Sequence, residues 1–194
     1  NVNGYGKGLE GEVDFPRLLD QINEIEGIER IRFTTSHPAD LSDALIQDFS
    51  ELEKLCEHIH LPFQSGSDRI LKAMHRGYTK KSYLDKIKGL KEVCPSIAIT
   101  ADVIVGFPGE EEEDFKETLD LMGKVKFDDL FSFKYSPRKG TRAAQLQNQV
   151  EEEVKQDRLS ILQKSQRGIT LEKKQAVEGQ VEEVLVEGLS KQSN

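Results

Sequence analysis

The chain has 194 residues, 36% of them hydrophobic and 32% charged, with a formal net charge of −8. That is enough for one sizeable soluble domain with its own core, while the acidic balance argues against a dedicated nucleic-acid-binding domain, which should be basic. Two cysteines, Cys56 and Cys94, make neither a disulfide framework nor a metal cluster and suit a reducing compartment, and no apolar run approaches the roughly 20 residues that cross a bilayer. No secretory signal opens the chain, so a cytoplasmic location without membrane contact is expected. The chain also lacks an initiator Met and starts on Asn1-Val2-Asn3, which reads as a piece of a longer protein.

In chain order, Phe15, Leu18, Leu19, Ile22 and Ile25 repeat at helical spacing, predicting a helix over 14–26 capped by Asp14 and ended by Gly27. An alternating stretch, Arg30-Ile31-Arg32-Phe33-Thr34, then predicts a strand. Ser42 caps a second helix with Leu45, Ile46, Phe49 and Leu52 as its stripe. A second alternating stretch runs from His58 through Phe63. Ser67-Asp68 opens a short helix to Met74, Gly77 breaks it, and Thr79 caps the next, which buries Tyr83, Leu84, Ile87 and Leu90. A third alternating stretch covers residues 100–105. The acidic run 110–114 then starts a helix at the end where the dipole favours negative charge. The fourth stretch covers residues 129–135, a loop follows over 136–149, and a long charged helix spans 150–177 with sparse apolar positions, packing outside the core or leading away. Val181, Val184 and Val186 then begin a β segment.

Strand and helix alternate four times, which predicts an α/β fold with a parallel sheet curling toward an incomplete barrel. Strands of such sheets are usually apolar on both faces; these are not. Ile59, Leu61 and Phe63, then Val103 and Val105, then Phe131, Phe133 and Tyr135 are expected to meet the helices. Arg32, His58, His60, Gln64, Thr100, Asp102, Ser132 and Lys134 are expected on the opposite face, where a polar ligand would compensate their burial. An antiparallel sheet with one wet face would alternate in the same way.

Each alternating stretch runs into a polar or glycine-rich elbow at the end of the strand where α/β barrels place their chemistry. Gln64-Ser65-Gly66-Ser67 reads either as a tight turn whose helix N-terminus offers free backbone donors or as plain capping by Ser67. Gly106-Phe107-Pro108-Gly109-Glu110 would let backbone approach a flat ligand. His58 and His60 share a strand face at a spacing used by metal-dependent hydrolases, with Asp102 as a possible acid, but no further histidine follows at a strand end. Arg138, Lys139 and Arg142 cluster in the loop after the last strand, and Lys72, Arg76, Lys80 and Lys81 cluster around Gly77; both suit either solvated charge or phosphate contact. A third reading is a non-catalytic barrel that only presents these loops to RNA.

Five motifs occur in order: Asn1-Val2-Asn3-x-Tyr5, Arg32-Phe33-Thr34-Thr35-Ser36-His37-Pro38, the run from His60 through Gln64-Ser65-Gly66-Ser67-Asp68, the run from Asp102 through Gly106-Phe107-Pro108-Gly109-Glu110, and Tyr135-Ser136-Pro137-Arg138-x-Gly140-Thr141. Together they resemble the radical S-adenosylmethionine methylthiotransferases, most closely the tRNA branch of the MiaB type, with the threonylcarbamoyladenosine branch second. The resemblance implies a partial (β/α) barrel of the radical SAM type over 1–149, a helical connector over 150–179 and the start of a TRAM-type β domain over 180–194. It implies S-adenosylmethionine held at the strand ends by Asn3, Ser36, Gln64, Ser65, Asp102, Gly106, Tyr135, Ser136 and Pro137, with Arg138, Lys139 and Arg142 toward RNA. It further implies two [4Fe-4S] clusters, an external reductant, and an anticodon-loop adenosine of tRNA as substrate rather than DNA. The family's cluster cysteines form a C-x3-C-x2-C triplet that this sequence does not contain, so the piece alone is expected to be inactive. Lys139 and Arg142 stand where the family often has proline, and Glu111 where it often has threonine.

Overall fold

The computed structural model describes residues 1–8, 14–34, 36–181, 184–186 and 188. Three strands form one sheet in the order β1 (His58–His60), β2 (Ala98–Val105) and β3 (Asp129–Lys134), and both pairings are parallel. Helices α1 (Phe15–Asn23) and α2 (Asp43–Glu51) precede β1. Helices α3 (Asp68–Ala73) and α4 (Lys80–Val93) lie between β1 and β2, α5 (Glu112–Val125) joins β2 to β3, and α6 (Glu152–Ala176) follows. The parallel register disposes of the antiparallel alternative.

The helix starts obey local chemistry. Asp14 accepts a hydrogen bond from Arg17 N at 3.0 Å, and Ser42 Oγ accepts one from Leu45 N at 3.1 Å. Thr79 and Ser82 exchange side-chain and backbone bonds at the head of α4, as Glu111 and Asp114 do at the head of α5. α3 differs from expectation: Ser67 makes no side-chain capping bond there.

The core lies between one face of the sheet and the helices. Ile59, Leu61, Phe63, Ala101, Val103 and Val105 are completely buried. Phe63 stacks on Phe127 with ring centroids 5.1 Å apart, and the buried Tyr83 hydroxyl donates to Leu61 O at 2.8 Å.

Two expectations are corrected. Residues 30–34 do not form a full strand; only Ile31 makes a parallel bridge, to Leu55. The aromatic ring two residues on explains why: Phe33 packs on Phe15 of α1 (5.0 Å) and toward Phe49 of α2 (6.0 Å) instead of continuing a ladder. The alternation of β3 is also the reverse of that expected. Leu130 is in register with Ala101 and is buried, so Ser132 and Lys134 fall on the covered face and Phe131 and Phe133 on the open one. Phe131 and Phe133 are 52% and 54% exposed. Ser132 accepts from Gln163 Nε2 of α6 at 3.4 Å, and Lys134 Nζ pairs with Glu152 of the same helix.

Helix α6 packs against β3 through a largely polar stripe. Leu162 is completely buried, and Lys155, Arg158 and Gln166 are buried beside it. Gln166 Nε2 donates to Phe127 O at 2.9 Å. Among the described residues, no helix is long and apolar enough to cross a membrane. Of the segment 180–194, residues 182, 183, 187 and 189–194 lie outside the described residues.

Candidate cofactor site

Because the strands are parallel, their C-terminal ends share one edge, and the elbows after them meet there. The open sheet face below that edge carries a chain of polar side chains. His58 Nε2 lies 3.2 Å and His60 Nδ1 3.0 Å from Thr100 Oγ1, and His60 Nε2 lies 3.4 Å from Asp102 Oδ1. The Phe131 ring stands edge-on to His60 at 6.1 Å. Burial, with help from the charge of Arg32, lowers the His58 pKa and favours its neutral imidazole. A hydroxyl both donates and accepts, so Thr100 can bridge the two imidazoles. The His58–His60 pair, weighed above as an alternative metal site, is tied into a hydrogen-bonded chain through Thr100, and no group of three or more His, Cys, Asp or Glu is placed to hold an ion among the described residues.

The elbow after β1 is built differently from the expectation of free donors. Gln64 has φ = 63°, a left-handed conformation that is uncommon for a non-glycine residue and clusters at functional sites. It is held there on both sides: its N–H donates to Asp102 O and its carbonyl accepts from Ile104 N, each at 2.9 Å. The next donors are consumed internally. Ser65 N goes to Phe63 O (2.7 Å), Gly66 N to Thr118 Oγ1 (2.9 Å) and Ser67 N to Ser65 Oγ (3.2 Å). Ser65 is therefore completely buried with its hydroxyl committed to its own turn. Gly66 is required by close packing: a Cβ there would lie 2.4 Å from Glu117 O. Ser67 Oγ donates to Asp114 at 2.6 Å. Burial pushes the Asp114 carboxyl up, but hydrogen bonds from Arg69, Ser67 and the Glu111 backbone outweigh it and its pKa is lowered.

Beside this elbow, Asn3 clamps the loop at His37. Its Nδ2 donates to His37 O (3.0 Å) and its Oδ1 accepts from His37 N (2.9 Å). The Asn3 amide is thereby used to shape the loop. Ser36, next to it, is 3% exposed, and its Oγ has no hydrogen-bond partner among the described residues. Burial lowers the His37 pKa, and His37 Nδ1 accepts from Ala39 N.

The elbow after β2 turns at Gly106, φ = +72°. Its N–H donates to Glu110 Oε1 at 2.8 Å, and Arg158 Nη1 donates to the same oxygen at 2.8 Å. Burial raises the Glu110 pKa against the pull of Gly106 N and Arg158. Gly109 N donates to Asn148 O at 2.8 Å. Tyr135 N bonds Val105 O, its ring meets Phe107 edge-on at 5.3 Å, and its hydroxyl is buried without a partner among the described residues. Ser136, Pro137, Arg138, Lys139 and Arg142 are exposed in the following loop. Glu110, Lys155 and Arg158, which lock this elbow to α6, were missed from sequence. Their available signal was Arg158, Leu162 and Gln166 recurring every four residues on one helix face.

The structure thus brings Gln64, Asp102, Ser36 and the Gly106 and Tyr135 elbows to one edge, and turns Asn3 and Ser65 into internal braces. Two cavities lie away from this edge: one of about 480 Å³ between β3 and α6, another of about 510 Å³ beside Pro38 and Tyr83. The chemically distinctive face is the open one, where aromatic and polar side chains remain partly exposed, so we place the site there.

Comparison with known proteins decides the family. A model described as the radical SAM superfamily matches residues 10–122. The chain belongs to the radical SAM superfamily. It is 62% identical over 191 residues, 98% of its length, to the tRNA-2-methylthio-N(6)-dimethylallyladenosine synthase of Syntrophus aciditrophicus. Proteins of the same name from Caldicellulosiruptor saccharolyticus and Syntrophobacter fumaroxidans are each 58% identical over 194 residues, the whole chain. The chain spans about two fifths (41%, 41% and 42%) of the length of these relatives.

Radical SAM proteins use S-adenosylmethionine with an iron–sulfur cluster. The open edge of this radical SAM chain suits the first: Ser36 and Tyr135 hold buried hydroxyls without partners, and Asp102 is accessible. The cysteines do not suit the second. Cys56 N is tied to Ile31 O, and Cys94 is buried at the end of α4, far from it in sequence. No cluster is assigned to residues of this chain.

Proposed function

We propose that this chain is the barrel portion, with its connector helix, of a tRNA methylthiotransferase that places a 2-methylthio group on N6-dimethylallyladenosine. The observation that carries the reading is likeness over 98% or more of the chain to proteins so named; the open polar edge is consistent with it. The relatives' names favour dimethylallyladenosine over threonylcarbamoyladenosine as the nucleoside. In this reading residues 1–149 belong to the barrel, 150–179 to the connector and 180–194 to the start of a β domain. Two [4Fe-4S] clusters would be liganded outside this sequence and charged by an external reductant.

S-adenosylmethionine, when bound, would supply the radical chemistry that acts on the target nucleoside. This chain's residues would bind and orient it. Asp102 offers a carboxylate for the ammonium group, positioned by His60. Ser36 and Tyr135 offer hydroxyls that lack partners, and the Gln64 turn places an amide side chain at the strand end. Gly106 sets the turn of the elbow beside the site while packing against Lys155 of α6. Arg138, Lys139 and Arg142 would face RNA around the anticodon-loop adenosine.

The test uses the full-length protein encoded by the parent reading frame. Gln64→Ala and Asp102→Ala are each expected to weaken S-adenosylmethionine binding about tenfold or more, measured by equilibrium dialysis. Wild-type affinity in both variants would refute the assignment. Mass analysis of tRNA nucleosides after reaction checks the product.

A further inference from the structure

We propose that Lys72, His75 and Arg76 form a phosphate-binding site for the RNA strand at the rim of the cofactor edge. The inference rests on the RNA-modifying reading above and assigns it a contact surface separate from the loop after β3. A cavity of about 570 Å³ opens between the end of α3 and the start of α4, with Lys72, His75, Arg76 and Tyr78 in its wall. Its position follows from Tyr78. The Tyr78 hydroxyl donates to Phe63 O at 3.1 Å, one residue before the strained Gln64, and its ring stands edge-on to His37 at 5.4 Å. The cavity therefore adjoins both the β1 elbow and the Ser36–His37 loop. Burial lowers the His37 pKa and raises that of Tyr78 to about 12; the nearby charge of Arg76 adds to the first shift and opposes the second.

The three basic groups differ from those around them. Arg69 pairs with Asp114, Lys80 with Asp120, Lys81 with Asp85 and Lys86 with Asp43. Lys72, His75 and Arg76 have no ion pair among the described residues, and Arg76 Nε is buried with no hydrogen-bond partner. The one carboxylate in the wall, Asp68, is engaged by Lys80 N at 2.6 Å. His75 holds a left-handed φ of 56° in a turn closed by Arg76 N donating to Leu71 O at 2.9 Å. An ammonium and a guanidinium without partners, beside an imidazole, match the donor chemistry of a phosphate diester. In a chain of net charge −8, attraction to a polyanion must come from such local sites.

The test is tRNA binding by the full-length protein across a series of salt concentrations, comparing Lys72→Gln and Arg76→Gln with Lys88→Gln, a control on an exposed lysine paired with Glu92. Each rim variant is expected to bind tRNA several-fold more weakly and to reduce the slope of log affinity against log salt by about 0.7–0.9. The control is expected to match wild type, and S-adenosylmethionine affinity is expected to be unchanged throughout. Should Arg76→Gln melt early, Lys72→Glu at its exposed position must still weaken tRNA binding. Rim variants that bind tRNA like wild type would overturn the proposal while leaving the function intact. Loss of S-adenosylmethionine affinity instead would also overturn it, assigning the cations to the cofactor's carboxylate. A wild-type protein that binds no tRNA would sink the functional reading itself.

Discussion

The two faces of β2 live in different surroundings. Ala101, Val103 and Val105 are completely buried against helices, whereas Thr100, Asp102 and Ile104 stay partly exposed on the open side. Stability is concentrated on the first face by removal of apolar area from water. The second is left free to carry groups that a packed interior would penalise. The elbows repeat this division. Gly66 is pressed onto α5, while the Gly106 elbow is held by the Glu110 carboxylate, itself anchored by Arg158 of α6.

The sharpest test of the division is Phe63→Ala on the covered side. It removes a fully buried ring stacked on Phe127 and is expected to cost about 3–5 kcal/mol in urea unfolding. Next come the two glycines. Gly66→Ala sets a methyl against α5 backbone and is expected to cost about 2 kcal/mol. Gly106→Ala meets the movable methylenes of Lys155, and its left-handed φ leaves a cost of about 1 kcal/mol. Equal losses at the two positions would erase the contrast between the elbows.

Asp48 of α2 is an exception on the covered side, since its Oδ2 is buried with no partner among the described residues. Burial, then the nearby carboxylates of Asp20, Glu51 and Asp14, raise its pKa from 3.8 to about 6. The folded state thus holds this proton more tightly than the unfolded one. The stabilising contribution is complete below the unfolded value and is lost as pH rises through about 6. Asp48→Asn is expected to stabilise the protein by about 1 kcal/mol at pH 7 and to leave it unchanged near pH 3, read from melting curves at both pH values. The smallest effect belongs to the open face: Asp102→Asn is expected to shift unfolding free energy by less than about 0.5 kcal/mol. A large loss there would mean the open face is structural after all.

Much of the fold was legible because its signals are local. Helical spacing placed α1, α2, α4 and α5, and Asp14, Ser42 and Thr79 cap as their chemistry requires. The elbows, Asp102 and the polar side of β1 and β2 were legible for the same reason. The phase of β3 was not, because Phe131 and Phe133 look like core residues until Leu130 is seen in register with Ala101. Neither were the duties of Asn3 and Ser65, whose partners are a loop 34 residues away and the residue two positions on.

By itself, then, the order of residues determined the parallel α/β class, the helix starts, the glycine-bearing elbows and the family. These depend on periodicity and on side chains acting within a few residues of themselves. Tertiary structure alone decided which face of β3 is covered, that the donors of the β1 elbow are spent on Thr118 and Ser65, and that Arg158 reaches Glu110 across 48 residues of chain. Such pairings depend on where whole elements come to rest, and no short stretch of chain contains that information.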